Sequence, residues 1–457
     1  MRYKLPMLVL ILAVFMPVAQ AAQAQTEHNG ISTNEVLERR TLLRETHSDG
    51  LILLMANGTE KAMEQPAWIQ APSFQYFTLL DDVPGAILLI DAPRNQSILF
   101  APEAPRSFGV PIPALDILAD EEFATRSAVD AVLPIDRMLP YIENRLNAGV
   151  STLYLDEPRR EPPRQSPSDM LSVSGIHRLW KQSLMQALPT AQFKSVASTI
   201  SSIRWTKSPA ESAILTKNGG HSAQALKAGM SAIEAGTTQR KAEAAVVSAC
   251  LTDGAEGPSF WPWVMGGPNA HMGRLVRSFF DPSNMNREYQ AGELVRVDVG
   301  CMSMGYGGDV GRTVPVSGLF NDQQRQIWDL LVIGYQSGID AMQDGVSIEA
   351  VRAASRKAIL SEGQASEALA QLAEIMVAPD GVDWHLHGVG IESGETPGET
   401  VLRTGTVLAY EPMFVWMDDA FYLEDMWLVT PSGTTLLTPG LPTSSQEIES
   451  FLSISNR

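Results

Sequence analysis

Two carboxylates stand in segments that otherwise read as buried strand. Asp298 sits in Leu294-Val295-Arg296-Val297-Asp298-Val299, and Asp309 follows Gly305-Tyr306-Gly307-Gly308 and precedes the strand-like Thr313-Val314-Pro315-Val316. A hairpin turning between Ser303 and Met304 sets Asp298 directly opposite Asp309, with β-carbons roughly 4.5–5.5 Å apart. The pattern recurs near the C-terminus. Thr406-Val407-Leu408-Ala409-Tyr410-Glu411 and Phe421-Tyr422-Leu423-Glu424-Asp425-Met426 form a second hairpin, and a turn between Met417 and Asp418 sets Glu411 opposite Glu424. Like charges facing each other on a sheet are destabilising. Two such pairs call for a cation, and four carboxylates suit one or two divalent metals. The competing reading has these acids pointing to solvent or pairing with Arg296 and Arg312.

A histidine motif lies between the hairpins, Trp384-His385-Leu386-His387-Gly388-Val389-Gly390-Ile391. It reads as a loop whose glycines let backbone come close to a site. His271 closes Gly266-Gly267-Pro268-Asn269-Ala270-His271, upstream of the first hairpin. The other histidines look uninvolved: His28 and His47 fall in a polar N-terminal stretch, and His177 and His221 in helical patterns.

These residues must be positioned by a chain of 457 residues, 44% of them hydrophobic. That is ample for two sizeable cores and rules out a disordered chain. The 34 Lys and Arg against 52 Asp and Glu give a net charge of −18, which disfavours nucleic acid as a partner. Cys250 and Cys301 lack metal-finger spacing and cannot form a disulfide framework; whether they pair stays open. At the N-terminus, Arg2 and Lys4 precede an apolar run from Met7 to Met16 and two Ala-x-Ala sites ending at Ala21 and Ala24. Residues 1–24 read as a cleaved secretory signal, and the mature chain as exported, periplasmic or secreted, without stable membrane insertion.

Strands at 51–55, 86–91, 97–100 and 151–155 with a helix at 139–146 predict an α/β domain over residues 45–203. Residues 204–457 form a second, α+β domain. Its first helix starts at Ser208-Pro209-Ala210-Glu211, where Ser208 caps, Pro209 takes the first turn and Glu211 completes a capping box. That helix runs to about 235, with Gly219-Gly220 a candidate kink. Further helices are expected at 238–252, 322–343 and 348–377, and strands within 293–317 and 406–438.

Together these segments resemble the pita-bread metallopeptidases: methionine aminopeptidase, aminopeptidase P, prolidase and the metal-free creatinase. The resemblance runs through Arg204 to Glu211, Asp298-Val299-Gly300, Gly308-Asp309-Val310-Gly311-Arg312-Thr313, His387-Gly388-Val389-Gly390, Glu411-Pro412 and Leu423-Glu424-Asp425. It implies a pita-bread catalytic domain behind a creatinase-like N-terminal α/β domain, as in the Xaa-Pro peptidase branch. It makes Asp298, Asp309, His387, Glu411 and Glu424 ligands of two divalent ions, with Asp309 and Glu424 bridging. The family's usual metal is Mn2+; Co2+, Fe2+ and Zn2+ also suit the set. Glu411 would take the proton of the attacking water, His271 would hold the substrate or the tetrahedral intermediate, and a homodimer is implied. The substrate would be a small Xaa-Pro peptide.

Three positions depart from the family pattern. Seven residues after His387, where a second histidine is usual, stands Gly394, and His385 is the candidate to replace it. Tyr422 stands where an arginine usually precedes the last metal glutamate. The loop between His271 and Asp298 is longer than usual. These departures admit an alternative, a metal-dependent lyase or hydrolase of the same fold acting on a small non-peptide molecule. A non-catalytic peptide receptor is the third reading, disfavoured by the intact ligand set.

Overall fold

The computed structural model describes residues 27–28, 30–58, 69–103, 106–107, 110–111, 117–156, 173–271, 281 and 286–455. The signal expected at residues 1–24 lies outside the described residues. Among these, no helix is long and apolar enough to cross a membrane.

The N-terminal part is built on a six-stranded mixed sheet. Its strands are β1 (Gly50–Met55), β2 (Ile87–Asp91), β3 (Gln96–Ala101), β4 (Ala131–Pro134), β5 (Thr152–Leu155) and β6 (Gln192–Ser195), in the spatial order β6-β5-β1-β2-β3-β4. The pairs β5–β6, β1–β5 and β3–β4 are parallel, and the hairpins β1–β2 and β2–β3 antiparallel. Near-continuous apolar runs such as Leu51 to Leu54 suit a sheet covered on both faces. The polar stretch before it forms α1 (Thr33–Thr46), capped by Ser32. Helices α2 (Pro72–Thr78), α3 (Met138–Asn147), α4 (Val173–Ala187) and α5 (Ala197–Trp205) complete this part.

The C-terminal part begins with α6 (Pro209–Ser231). The capping box forms as the sequence predicts: Ser208 Oγ accepts from Glu211 N and Glu211 Oε2 accepts from Ser208 N. The helix runs unbroken past Gly219, where a Cβ would sit 2.1 Å from the Leu437 carbonyl oxygen. Glycine there serves close packing, not a kink. Next come α7 (Gln239–Thr252), strand β7 (Trp263–Gly266), strand β8 (Leu294–Val299), strand β9 (Val310–Pro315) and α8 (Asp322–Ala341). The helix expected over 348–377 is two, α9 (Ile348–Gly363) and α10 (Glu367–Val377), because Ser366 caps a fresh start. Strand β10 (Asp383–Gly388), the long β11 (Val407–Trp416), β12 (Asp419–Tyr422), β13 (Asp425–Thr430), β14 (Gly433–Leu436) and α11 (Ser445–Ser455) follow.

Two antiparallel sheets, β7-β8-β9 and β10-β11-β13-β14 with β12 beside β11, face the helices across the main core. An isolated bridge between Gly311 and Glu424 joins them. Cys250 on α7 and Cys301, just past β8, form a disulfide with Cα atoms 5.5 Å apart, closing a separation of 51 residues. Replacing both cysteines by alanine is expected to cost about 2–4 kcal/mol, through the freed unfolded chain. A denaturant midpoint compared with and without reductant checks this.

Candidate metal centre

The first hairpin does not turn where the sequence predicts. Met304 and Gly305 both adopt positive φ, 57° and 75°, and form a two-residue turn one position later than expected. Asp298 therefore faces Gly311, not Asp309. The slip displaces each partner by two residues, and a strand repeats its facing every two, so both acids stay on one face. The second hairpin keeps the expected register on both sides of the site, Tyr410 with Asp425 and Met413 with Tyr422. Between those pairs Glu424 leaves its neighbour. Its backbone exchanges hydrogen bonds with Gly311, at 2.9 and 3.2 Å, which draws the first hairpin's acids against the second's. Arg312 locks that junction, donating to the Glu424 carbonyl (2.7 Å), the Pro442 carbonyl (2.7 Å) and the Asp425 carboxylate (3.0 Å).

His387 lies on a strand, not a loop. In β10, Trp384 and Leu386 are buried in the core, so His385 and His387 share the other face. His387 Nδ1 is 2.9 Å from the Gly388 carbonyl oxygen, an acceptor, so Nδ1 carries a hydrogen. Nε2 then faces three carboxylate oxygens: Glu411 Oε1 at 3.4 Å, Asp309 Oδ2 at 3.7 Å and Glu424 Oε1 at 3.7 Å. All three acids are buried. Asp298 joins them through Tyr422, whose hydroxyl lies 2.8 Å from Glu411 Oε2 and 2.6 Å from Glu424 Oε2 and also interacts with Asp298. A hydroxyl has one hydrogen to donate, so it satisfies only one of these carboxylates at a time.

The electrostatics follow from this crowding. Burial, then repulsion from Glu424 and Asp298, pushes Asp309 well above the usual carboxylate range. Burial and the neighbouring Glu411 push Glu424 up to about 7. Asp298 is raised by burial, against the pull of Arg296. Burial also acts on Glu411, but hydrogen bonds from His385 and His387 outweigh it and hold that carboxyl below its ordinary value. The competing sequence reading is half right. Asp298 pairs with Arg296 at 2.7 Å, and Arg312 pairs with Asp425, but none of the four acids points to solvent.

A divalent cation fits this donor set. Glu424 Oε1 is buried without a hydrogen-bond partner among the described residues and lies beside His387 Nε2. The oxygen-rich set with an imidazole is the chemistry of manganese, cobalt, iron or zinc. Two groupings have ligand atoms close enough to hold an ion: Asp309, His387 and Glu424, and His385, His387 and Glu411. His271 is not brought in by any contact among the described residues. Its Nε2 is 2.9 Å from the Asp418 carbonyl oxygen, in the turn between β11 and β12.

Two supporting features escape the motif. The Arg296 guanidinium lies 3.8 Å from the centroid of the Tyr422 ring, so the tyrosine and a guanidinium from the neighbouring strand together occupy the metal centre's wall. Gly311 makes room for that ring, since a Cβ would sit 2.0 Å from a ring carbon and 2.9 Å from the Val297 carbonyl. Gly311→Ala is thus expected to cost about 1–3 kcal/mol by overpacking and to weaken metal binding by displacing the Tyr422 hydroxyl. Urea unfolding and metal titration check the two effects separately. The tyrosine in place of arginine at position 422 is visible in the sequence; the stacked Arg296 is not.

Residues 213–431 match metallopeptidase family M24. That match lies in the C-terminal part of the chain, which is similar to that family over those residues. The metallopeptidase is 26% identical over 454 residues to an Xaa-Pro aminopeptidase of Escherichia coli K12, covering 92% of this chain and 98% of the relative. It is 26% identical over 253 residues to an Xaa-Pro dipeptidase of Pyrococcus furiosus, covering 54% and 67%. Its fold is that of two solved structures. One is a putative aminopeptidase P from Bacillus anthracis (TM-score 0.73, 20% identity, 93% and 99% covered). The other is the E. coli aminopeptidase P with the inhibitor Pro-Leu (TM-score 0.71, 23% identity, 93% and 99% covered). The metallopeptidase is therefore an α+β pita-bread protein with an N-terminal α/β part.

Proposed function

We propose that this metallopeptidase is an exported aminopeptidase or dipeptidase that removes the N-terminal residue from small Xaa-Pro peptides with two divalent ions, Mn2+ first among them. The observation that carries the reading is the convergence of the Asp309, Glu411 and Glu424 carboxylates on His387 Nε2, with Glu424 Oε1 lacking a hydrogen-bond partner among the described residues. The names of the relatives supply the substrate class.

Asp298, Asp309, His387, Glu411 and Glu424 would hold the ions, with residues 204–457 as the catalytic domain and residues 45–203 in front of it. Bound ions would lower the pKa of a water and polarise the scissile carbonyl. Glu411 would accept the proton of that water, and its contacts with His385, His387 and Tyr422 fix the carboxylate's orientation. Tyr422 and Arg296 keep Asp298 and Glu424 aimed inward. His271, 2.9 Å from the Asp418 carbonyl oxygen, would hold substrate, as the family resemblance implies. Export rests on the N-terminal signal and agrees with the Cys250–Cys301 disulfide, a bond that persists in oxidising compartments. A homodimer completes the proposal.

Gly394 favours the second reading, a small non-peptide substrate. It lines a cavity of about 410 Å³ with Arg204, Trp180 and Glu395, a cavity that none of the five candidate ligands lines. That position offers no imidazole to a reacting amide. Release of the N-terminal residue from Xaa-Pro dipeptides and longer peptides, measured with and without added Mn2+, separates the readings. Manganese-dependent release is expected. A chain that binds metal but turns over neither peptide class would instead be the non-peptide enzyme.

A further inference from the structure

His385 stands two residues before His387 on β10, and its Cα is paired with that of Glu411 on β11. Both imidazoles therefore leave the strand on the side of the carboxylates. Their ring centroids are 5.6 Å apart. His385 Nδ1 is in hydrogen-bond contact with Glu411 Oε1, the same oxygen that lies 3.4 Å from His387 Nε2. The ligand atoms of His385, His387 and Glu411 all fall within 4.8 Å of one another. The other oxygen of Glu411, Oε2, faces the Tyr422 hydroxyl at 2.8 Å, a hydroxyl it shares with Glu424 Oε2. Oε1 is the oxygen that both imidazoles approach. Tyr422 approaches Glu411 at Oε2, whereas His385 approaches the oxygen that also faces His387.

We infer that His385 is a further metal ligand, so that the ion held by His387 and Glu411 has two imidazoles. Carboxylate and water ligands suit manganese, whereas imidazole suits zinc and iron. The added imidazole shifts this chain's preference away from Mn2+ toward Zn2+ at that position. His385 can enter the coordination shell cheaply, because its side chain is 44% exposed and its remaining ring nitrogen can stay hydrated. The inference rests on the metal-centre reading of Glu411 and His387, and it does not depend on which substrate is cleaved.

The test uses the purified chain with one equivalent of Co2+ and counts ligands by X-ray absorption at the cobalt edge. Two imidazoles per ion are expected, and one in His385→Ala and in His385→Gln. Glutamine keeps a hydrogen-bond donor for Glu411, so it would restore a purely orienting role but cannot restore an imidazole ligand. Competition binding supplies a second readout. The ratio of Zn2+ to Mn2+ affinity is expected to fall about tenfold or more in both variants, whereas loss of an orienting contact weakens all metals together, by roughly 10–100-fold. A single imidazole in the unaltered chain overturns the inference and leaves the metal centre standing. An unchanged count and ratio in variants with native circular dichroism overturns it as well. Failure to bind Co2+ at all removes both the inference and the centre it builds on.

Discussion

Asp309→Ala is expected to lower kcat/KM for Xaa-Pro hydrolysis by roughly a thousandfold or more. Lewis-acid stabilisation by bound metal contributes several kcal/mol to such reactions, and each 1.4 kcal/mol is about a tenfold change in rate. Asp309 is buried, with Oδ2 3.7 Å from His387 Nε2, and burial followed by repulsion from Glu424 and Asp298 pushes its carboxyl well above the usual range. Those features imply little structural benefit from keeping a carboxylate there. Removing it relieves repulsion, so the variant should stay as stable as the parent in the absence of metal, or become more so. Activity and stability are thereby predicted to move in different directions. Steady-state kinetics at saturating Mn2+ and thermal unfolding in chelator measure the two. An active Asp309→Ala chain would remove Asp309 from the site.

Glu395→Gln should lower stability by about 3 kcal/mol. Glu395 is buried and accepts from Arg204 at 2.6 Å and Lys207 at 2.8 Å, both cations buried as well. Breaking a buried ion pair from one side commonly costs about 3–5 kcal/mol. The lower end applies because Arg204 keeps Glu392 at 2.7 Å and Lys207 keeps the Arg204 carbonyl at 2.6 Å. The pH dependence has a definite sign. Burial would raise the Glu395 carboxyl, but Arg204 and Lys207 outweigh it and hold it below its ordinary value. Its contribution is full above the unfolded glutamate pKa of about 4.3 and is lost as pH falls through the lower folded value. Parent stability should therefore fall on acidification below about pH 4, and Glu395→Gln should flatten that fall. Denaturant unfolding across that range tests it. The same network holds the loop containing Gly394, so the variant should also perturb substrate binding.

The second hairpin was legible because its alternation of apolar and polar residues is long and its turn falls where the arithmetic puts it; Tyr410–Asp425 and Met413–Tyr422 pair as expected. The first hairpin was legible in facing but not in register. Met304 adopting a left-handed conformation before Gly305 moved the turn by one position, and non-glycine residues rarely announce that. The strand carrying His387 was hidden behind its flanking glycines, although Trp384 and Leu386 alternate with the histidines in the two-residue period of a strand. The break at Ser366 was a capping signal inside an otherwise continuous helical pattern. What sequence could not carry are contacts across long separations: Arg204 with Glu395, 191 residues apart, Arg312 with the Glu424 backbone, 112 apart, and the joining of Cys250 to Cys301. Each depends on how the sheets come together, which no local pattern encodes.

Asp298, Asp309, His387, Glu411 and Glu424 are proposed to form one divalent-metal centre. Its most direct test is the metal content of the purified chain after Mn2+ loading and removal of free ions, set beside Asp309→Ala. About two ions per chain are expected in the parent, as a two-metal hydrolytic site requires, and clearly fewer in the variant. Equal metal content in the two, or none in the parent, would contradict the account.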